Sequence, residues 1–306
     1  MRFVHTNVMY LNFYVRDDSM HIKKILCCTV LILCTVAGIF IFRSFSVSTN
    51  NLPDDCISLP ILMYHAVNSK KSSQGKFVIS PEEFEQDLEN IKKNSFTTIF
   101  MQDVIDYVYD NKELPERPLV ITFDDGYYNN YMFAYPLLEK HNLKAVISPI
   151  GKYADLYTKE KSTNPNYAHA TWENLKEMQS SGLVEIQNHS YNMHTMNGNR
   201  NGTKKRRGES FHDYKMAFTE DVGLMQKRIC ENLGTTPQVF TYPFGAISDC
   251  SVEILKGMGF RATLGCENKI NKISKNPECL YGLGRLIREH GVSSEKFFRT
   301  KVLKLT

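Results

Sequence analysis

The chain has 306 residues, of which 42% are hydrophobic, so it is long enough for one large α/β domain or two smaller domains. Its formal net charge is +4, and residues 1–43 alone contribute +3 of that excess. The remainder is nearly neutral, which argues against a nucleic-acid-binding protein, because such a protein would carry a basic surface.

An uncharged apolar run extends from Ile25 to Phe42, near the amino terminus. At about 1.5 Å rise per residue, a helix over this run nearly spans a hydrocarbon core of about 30 Å. Lys23 and Lys24 precede the run and favour a cytoplasmic amino terminus. We therefore expect a short cytoplasmic tail over residues 1–24, a single-pass transmembrane signal-anchor over residues 25–42, and an extracellular domain at the cell membrane. A cleaved signal peptide is the alternative, and Met20 is an alternative start of the chain.

After a polar linker over residues 43–58, the chain alternates between strand and helix patterns. Strands are predicted over residues 59–64, 96–100, 119–123, 144–151, 183–188, 239–242, 261–264 and 283–287. Helices are predicted over residues 81–93, 101–109, 128–140, 172–181, 211–232, 249–258 and 293–303. This alternation implies parallel strands with right-handed crossovers, and over roughly 250 residues it predicts a closed or nearly closed (β/α) barrel.

Two adjacent carboxylates, Asp124 and Asp125, follow the apolar run from Leu119 to Phe123 and precede Gly126. Such a run is typical of a buried parallel strand, and the carboxyl ends of parallel strands are where α/β folds place their chemistry. Adjacent strand residues point to opposite faces, but a turn at the glycine lets both carboxylates reach one pocket. One of them could then bind a metal while the other moves protons. An ordinary Asp-Asp-Gly surface turn is the alternative.

His189 and His194 follow the predicted strand over residues 183–188. Five positions apart, two histidines cannot share one face of a straight helix, but they can converge in a loop that leaves a strand. Two imidazoles and a carboxylate are a common ligand set for catalytic zinc and similar divalent metals. The alternative for either histidine alone is a hydrogen-bonded, partly buried side chain.

The sequence from Thr122 to Gly126, followed by His189-Ser-x-x-x-His194, resembles the polysaccharide deacetylase family (carbohydrate esterase family 4, the NodB-homology domain). The stretch from Leu62 to Val67 also resembles an opening strand of extracellular members. The resemblance extends from about Leu59 to Phe298 and implies a catalytic domain over residues 59–306. It also implies a distorted (β/α) barrel of about seven parallel strands.

Carried onto this chain, the resemblance makes Asp125, His189 and His194 the ligands of a divalent metal, with Zn²⁺ preferred. Asp124 becomes the general base that activates the attacking water. The family's third motif usually reads Arg-x-Pro-Tyr/Phe, and here Thr241 stands at the arginine position. We expect Arg285, from another strand end, to orient Asp124 in its place.

Other residues are candidates for the remaining roles. His290 follows the last predicted strand and is a candidate general acid, although an ordinary surface histidine is the alternative. His65, Tyr242, Pro243 and Phe244 are candidates for substrate binding. The backbone amide near Phe244 could also stabilise an oxyanion.

The cysteines do not indicate a fold held together by disulfide bonds. Outside the apolar run the chain has an odd number of them, Cys56, Cys230, Cys250, Cys266 and Cys279, so at least one stays unpaired. No C-x-x-C motif is present, so a thiolate zinc site is not indicated. We expect mostly free thiols, with Cys266–Cys279 as a candidate bridge.

The expected function is therefore metal-dependent hydrolysis of N-acetyl groups from an N-acetylglucosamine-containing polysaccharide, either peptidoglycan or poly-N-acetylglucosamine. The expected partners are this N-acetylated glycan and the membrane, with no nucleic acid. An O-acetyl (xylan-type) esterase is one alternative, because the same metal and base would serve it. A catalytically inactive glycan-binding wall protein is the other, because the third-motif arginine is missing.

Overall fold

A computed structural model describes residues 56–196 and 200–304 of the chain. The apolar run over residues 25–42 lies outside these residues, and its assignment as a membrane anchor stays a prediction. Every helix within the described residues is too short or too polar to cross a lipid bilayer.

Short strands and helices alternate along most of the described chain. The strands are β1 Ile57–Leu59, β2 Ile61–Tyr64, β3 Ala66–Val67, β4 Val78–Ile79, β5 Thr97–Thr98, β6 Pro118–Asp125, β7 Ala145–Pro149, β8 Val184–Ile186, β9 Val239–Thr241, β10 Ala262–Leu264, β11 Asn271–Ile273 and β12 Leu286–Ile287. The α-helices are α1 Pro81–Lys93, α2 Met101–Tyr109, α3 Tyr135–His141, α4 Gly151–Glu160, α5 Trp172–Ser180, α6 Phe211–Leu233, α7 Ser251–Gly257 and α8 Ser294–Phe297.

The principal sheet is parallel and has the strand order β12-β2-β6-β7-β8, with β5 paired to the beginning of β6. A second parallel pair joins β9 and β10. Single parallel bridges link these two sheets, from Asn188 to Phe240 and from Leu264 to Leu283. The pairing therefore follows a ring of seven parallel strands, and two of its junctions consist of a single bridge. The predicted α/β class and its parallel strands are confirmed.

Strand β6 lies inside this sheet, and all eight of its residues are buried. Side chains alternate between the two faces of a strand. Leu119, Ile121 and Phe123 pack into one hydrophobic cluster, whereas Val120 belongs to another. Asp124 has the same parity as Val120, so its carboxylate leaves the strand on the face opposite to Phe123.

Helix α1 begins as its sequence predicts. The Ser80 hydroxyl accepts a hydrogen bond from the Glu83 amide at 3.1 Å, and the Glu83 carboxylate accepts one from the Ser80 amide at 2.9 Å. This reciprocal capping box satisfies two amides at the helix amino terminus. Pro81 occupies the first helical position, where no amide donor is needed.

Two features differ from the sequence prediction. Residues 144–151 were expected to form one strand, but the strand ends at Pro149 and helix α4 begins at Gly151. A Cβ atom at Gly151 would lie 2.5 Å from the Met225 sulfur and 2.7 Å from Tyr191 Cδ2, so a larger residue would displace these side chains. The antiparallel pairing of β1 with β11 was also not predicted.

The candidate bridge between Cys266 and Cys279 is wrong, because both thiols are free. The Cys266 sulfur lies 3.8 Å from an Arg285 nitrogen, whereas the Cys279 sulfur donates to the Ser274 carbonyl. The two side chains therefore have different neighbours.

Candidate active site

Asp125, His189 and His194 lie together at the carboxyl ends of β6 and β8. One ligand atom from each of them lies within 4.8 Å of the others. The Asp125 Oδ1 atom is 3.4 Å from His189 Nε2 and 3.1 Å from His194 Nε2. The structure thus brings together the three residues predicted as metal ligands.

The backbone at the end of β6 redirects Asp125 toward the histidines. Asp125 has a φ of 68°, in the left-handed region that non-glycine residues rarely adopt. Gly126 follows with a φ of 71°, and a Cβ atom there would lie 2.6 Å from Pro149 Cβ. Because the turn breaks the strand geometry, the adjacent side chains of Asp124 and Asp125 both reach one cavity.

His189 is buried and held in one orientation. Its Nδ1 atom lies 2.7 Å from the Thr241 carbonyl oxygen. A carbonyl can only accept, so Nδ1 carries the proton, and in a neutral ring Nε2 would offer its lone pair to a cation in the site. Thr241, at the family's arginine position, therefore supports a predicted metal ligand through its backbone. Its hydroxyl is 2.8 Å from the Ser148 hydroxyl.

These residues fit a divalent cation. The buried Asp125 Oδ1 atom faces the Nε2 atoms of both imidazoles, but it makes no well-aligned hydrogen bond among the described residues. Burial raises the pKa of Asp125, but the two imidazoles outweigh burial and hold its pKa well below the usual value. The cluster can balance this negative charge with protons on the imidazoles or with one cation, and its nitrogen and oxygen donors are those that catalytic zinc takes.

Asp124 has a different partner, Arg285. Arg285 Nη1 donates to Asp124 Oδ1 at 2.6 Å, and Nη2 donates to Oδ2 at 2.8 Å. The arginine is fully buried and also donates to Gly265 O at 2.8 Å and Thr122 Oγ1 at 3.2 Å. Burial raises the pKa of Asp124, but the Arg285 guanidinium lowers it below the usual value. The expected contact between Arg285 and Asp124 is present, and Asp124 is held as an anion.

A cavity of about 700 Å³ opens above these groups. His65 lines it, and burial lowers the pKa of this imidazole. Phe77 also lines the cavity, with 4.8 Å between its ring centroid and that of His65. Phe244 lies against His194 at 4.3 Å between centroids and is 40% exposed. Two of the four residues predicted to bind substrate, His65 and Phe244, therefore line the cavity.

The other two, Tyr242 and Pro243, do not line it. The Tyr242 hydroxyl lies 2.7 Å from the Ser251 hydroxyl, and its ring packs against Phe240 in a hydrophobic cluster. Pro243 is buried beside it. Phe244 has a φ of 57°, so the chain reverses and only its ring turns toward the cavity.

His290 does not reach the cavity either. Its Nδ1 atom lies 2.6 Å from Glu83 Oε2, and Glu83 also accepts from the Gly291 amide at 2.9 Å. The loop after β12 therefore turns outward to the beginning of α1. This placement corrects the assignment of His290 as the general acid.

Sequence reasoning missed several residues of the cavity, among them Tyr127 and Phe77, and one residue behind it. Tyr127 lines the cavity directly after the glycine turn, and burial together with the Asp125 carboxylate raises the pKa of its hydroxyl. Phe77 comes from the loop between β3 and β4. His169 lies behind Tyr127, with 4.6 Å between the ring centroids. Only Tyr127 had a signal, its position next to the Asp-Asp-Gly motif.

Comparisons with known proteins agree with this geometry. A family model described as polysaccharide deacetylase matches residues 111–263. The poly-beta-1,6-N-acetyl-D-glucosamine N-deacetylase of Escherichia coli K12 is 25% identical over 218 residues, which are 65% of this chain and 32% of that protein. This chain thus spans about a third of that relative's length. Bacillus subtilis YxkH is 28% identical over 239 residues, which are 78% of this chain and 74% of YxkH.

Among solved structures, a de-N-acetylase from Aggregatibacter actinomycetemcomitans has a TM-score of 0.64 and 27% identity. The match covers 75% of this chain and 94% of that one. The similarity therefore extends over most of the chain.

Proposed function

Because the chain belongs to the polysaccharide deacetylase family, we propose that it removes N-acetyl groups from an N-acetylglucosamine-containing polysaccharide with the help of a divalent metal. One observation carries the proposal: the adjacent carboxylates of β6 have different partners at one cavity. Asp125 faces two imidazoles, and Asp124 faces an arginine. The similarity to the Escherichia coli poly-beta-1,6-N-acetyl-D-glucosamine N-deacetylase supports an N-acetylated glycan as the substrate.

Asp125, His189 and His194 would hold the metal, and zinc is our preferred ion because it takes two imidazoles and a carboxylate readily. When bound, the ion would polarise the acetyl carbonyl and lower the pKa of the attacking water. The Thr241 carbonyl fixes the His189 ring so that Nε2 points at the site.

Asp124 is the proposed general base. Both of its oxygens accept from Arg285, yet each carboxylate oxygen has a second lone pair that can take a proton from water. The bidentate contact also fixes the plane of the carboxylate. Arg285 therefore keeps the base both charged and oriented.

His65 is the proposed proton donor to the leaving amine. Three histidines line the cavity among the described residues, and His65 is the one outside the proposed metal cluster. Burial lowers its pKa from the ordinary value of 6.5, so the ring is mostly neutral at pH 7 and would donate only after taking up a proton. The Phe244 amide stays a predicted oxyanion donor.

The alternative of an inactive binding protein was based on the missing third-motif arginine. Arg285 makes the contact to Asp124 from a different strand end, so that reason no longer favours inactivity. The extracellular location of the domain and its membrane anchor remain part of the proposal, supported by the apolar run from Ile25 to Phe42.

The test is acetate release by the purified protein, with zinc added, from poly-β-1,6-N-acetylglucosamine oligomers, chitin oligomers, peptidoglycan and acetylated xylan. We expect release from an N-acetylated glycan and none after chelation. Release from xylan alone would favour the O-acetyl esterase. An absence of release from every glycan, with metal bound, would contradict the proposal.

A further inference from the structure

A buried imidazole contacts the backbone of Asp125 from behind the cavity wall. His169 Nδ1 lies 2.9 Å from the Asp125 carbonyl oxygen, and the side chain is 7% exposed. The carbonyl can only accept, so His169 donates this hydrogen bond. His169 has no part in the proposed reaction, and it does not line the cavity.

This hydrogen bond acts on a backbone conformation that needs support. A non-glycine residue in the left-handed region is strained and persists only where its surroundings hold it. The Asp125 carbonyl receives one other backbone hydrogen bond, a longer one of 3.3 Å from the Ile150 amide. The hydrogen bond from His169 is therefore the shorter of the two that this carbonyl accepts.

The loop that carries His169 is fastened to the same turn. The Tyr128 amide donates to the Ala168 carbonyl at 2.9 Å, and the Ala170 amide donates to the Gly126 carbonyl at 2.8 Å. These two bonds lie on either side of His169 and pair the loop with the residues that follow Asp125. The backbone that carries His169 is thus tied to the turn on both sides of the residue.

Aromatic rings fix the plane of the imidazole. Tyr153 stacks on it with 4.5 Å between centroids and 22° between planes, and Tyr127 lies at 4.6 Å and 33°. Tyr157 is a third neighbour at 5.6 Å. The donor nitrogen is consequently aimed at the Asp125 carbonyl rather than free to rotate.

We propose that His169 is a positioning residue for the metal centre. Its Nδ1–H bond to the Asp125 carbonyl holds Asp125 in the left-handed conformation that aims the carboxylate at His189 and His194. This inference rests on the proposed function, since it takes these three residues as metal ligands. Groups behind metal ligands typically change metal affinity by about 10- to 100-fold when they are removed.

The experiment compares three variants of the full chain. His169→Asn keeps an amide donor near the position of Nδ1, and His169→Leu has a similar size without a donor. His169→Phe keeps a ring between the tyrosines but also lacks the donor. The readouts are the Zn²⁺ dissociation constant, measured by competition with a chelator, and the unfolding temperature of the metal-free protein.

We expect His169→Leu and His169→Phe to bind Zn²⁺ about 10- to 100-fold more weakly than the unsubstituted chain. His169→Asn should recover most of that loss, while all folded variants keep similar metal-free unfolding temperatures. Equal affinity in His169→Leu and His169→Asn would overturn the role of the donor. If either the leucine or the phenylalanine variant does not fold, the other still gives the comparison with asparagine.

The unsubstituted chain separates this inference from the proposed function. If it binds no Zn²⁺ under any condition, the metal-dependent function is wrong and His169 has no centre to position. If it binds Zn²⁺ and all three variants match it, only the role of His169 is wrong.

Discussion

Two buried aspartate–arginine pairs flank the short strand β12. They differ in hydrogen-bond geometry and in access to the cavity. Arg285, just before the strand, donates to both oxygens of Asp124. Arg288, just after it, donates through Nε to a single oxygen of Asp87 at 2.6 Å. The Tyr64 hydroxyl donates to that same Asp87 oxygen at 3.0 Å. Of the aspartates in these two pairs, only Asp124 lines the cavity.

The pKa values of the two aspartates are displaced in opposite directions. Burial raises the pKa of Asp87 more than Arg288 lowers it, whereas the bidentate Arg285 overcomes burial and lowers the pKa of Asp124. A buried ion pair alone therefore does not mark a catalytic acid. Bidentate geometry together with access to the cavity distinguishes the proposed base from a carboxylate that only joins α1 to the end of β12.

The largest expected effect is on catalysis. Asp124→Asn should lower kcat by about 10²- to 10⁴-fold, because the amide cannot take a proton from water. Acetate release from a glycan oligomer measures this change. Asp87→Asn is the matched control, since it removes the charge of the other buried aspartate. A folded Asp87→Asn protein with an equally large loss of kcat would erase the distinction between the two pairs.

The second effect is on stability, at the other pair. Asp87→Ala should lower the free energy of unfolding by about 3–5 kcal/mol, because it leaves the fully buried Arg288 guanidinium without its counterion. Denaturant unfolding measures this loss. The double variant Asp87→Leu with Arg288→Met should be more stable than Asp87→Ala, since no buried charge remains. Unchanged stability in Asp87→Ala would show that the pair has no structural role.

The third effect is on the pH profile. Arg285→Met removes the charge that lowers the pKa of Asp124, so burial then raises that pKa. The base becomes deprotonated only at higher pH, and the acid limb of kcat/KM should move upward by about 1–3 pH units. Arg288→Met is the control and should leave the limb in place. An acid limb that does not move in Arg285→Met would show that Asp124 is not the titrating base.

The two carboxylates and two imidazoles could be predicted because parallel strands bring their carboxyl ends to one edge of the sheet. The same rule placed Arg285 near Asp124. The rule did not place His290 correctly. The loop after β12 runs outward, and His290 contacts Glu83 instead of lining the cavity. Tyr242 was expected at the end of a strand over residues 239–242, but the strand ends at Thr241 and the Tyr242 ring packs in the core. His169 and Phe77 come from loops whose paths have no periodic signal.

A third acid extends the comparison to a site without arginine. Glu185, in β8, is half-buried and accepts from the Gln102 amide at 3.0 Å and from Gln187 Nε2 at 2.7 Å. No cation forms an ion pair with it among residues 56–196 and 200–304. Burial raises the pKa of Glu185 to about 7. Its environment therefore shows what burial does to a carboxylate when no guanidinium offsets it.

The pH dependence of stability tests this smallest effect. Below pH 4.5 the carboxyl is protonated in both states. Between about pH 4.5 and 7 the unfolded chain loses the proton first, so the folded state loses relative stability as the pH rises, by up to about 3 kcal/mol. Glu185→Gln cannot titrate, so its free energy of unfolding should gain that amount relative to the unsubstituted chain between pH 4.5 and 8. Taking the difference between two pH values removes any constant cost of the amide, such as a poorer hydrogen bond to Gln187. If the free energy of unfolding changes equally with pH in both proteins, Glu185 keeps an ordinary pKa. Neutral hydrogen-bond donors would then stabilise a buried carboxylate as an arginine does.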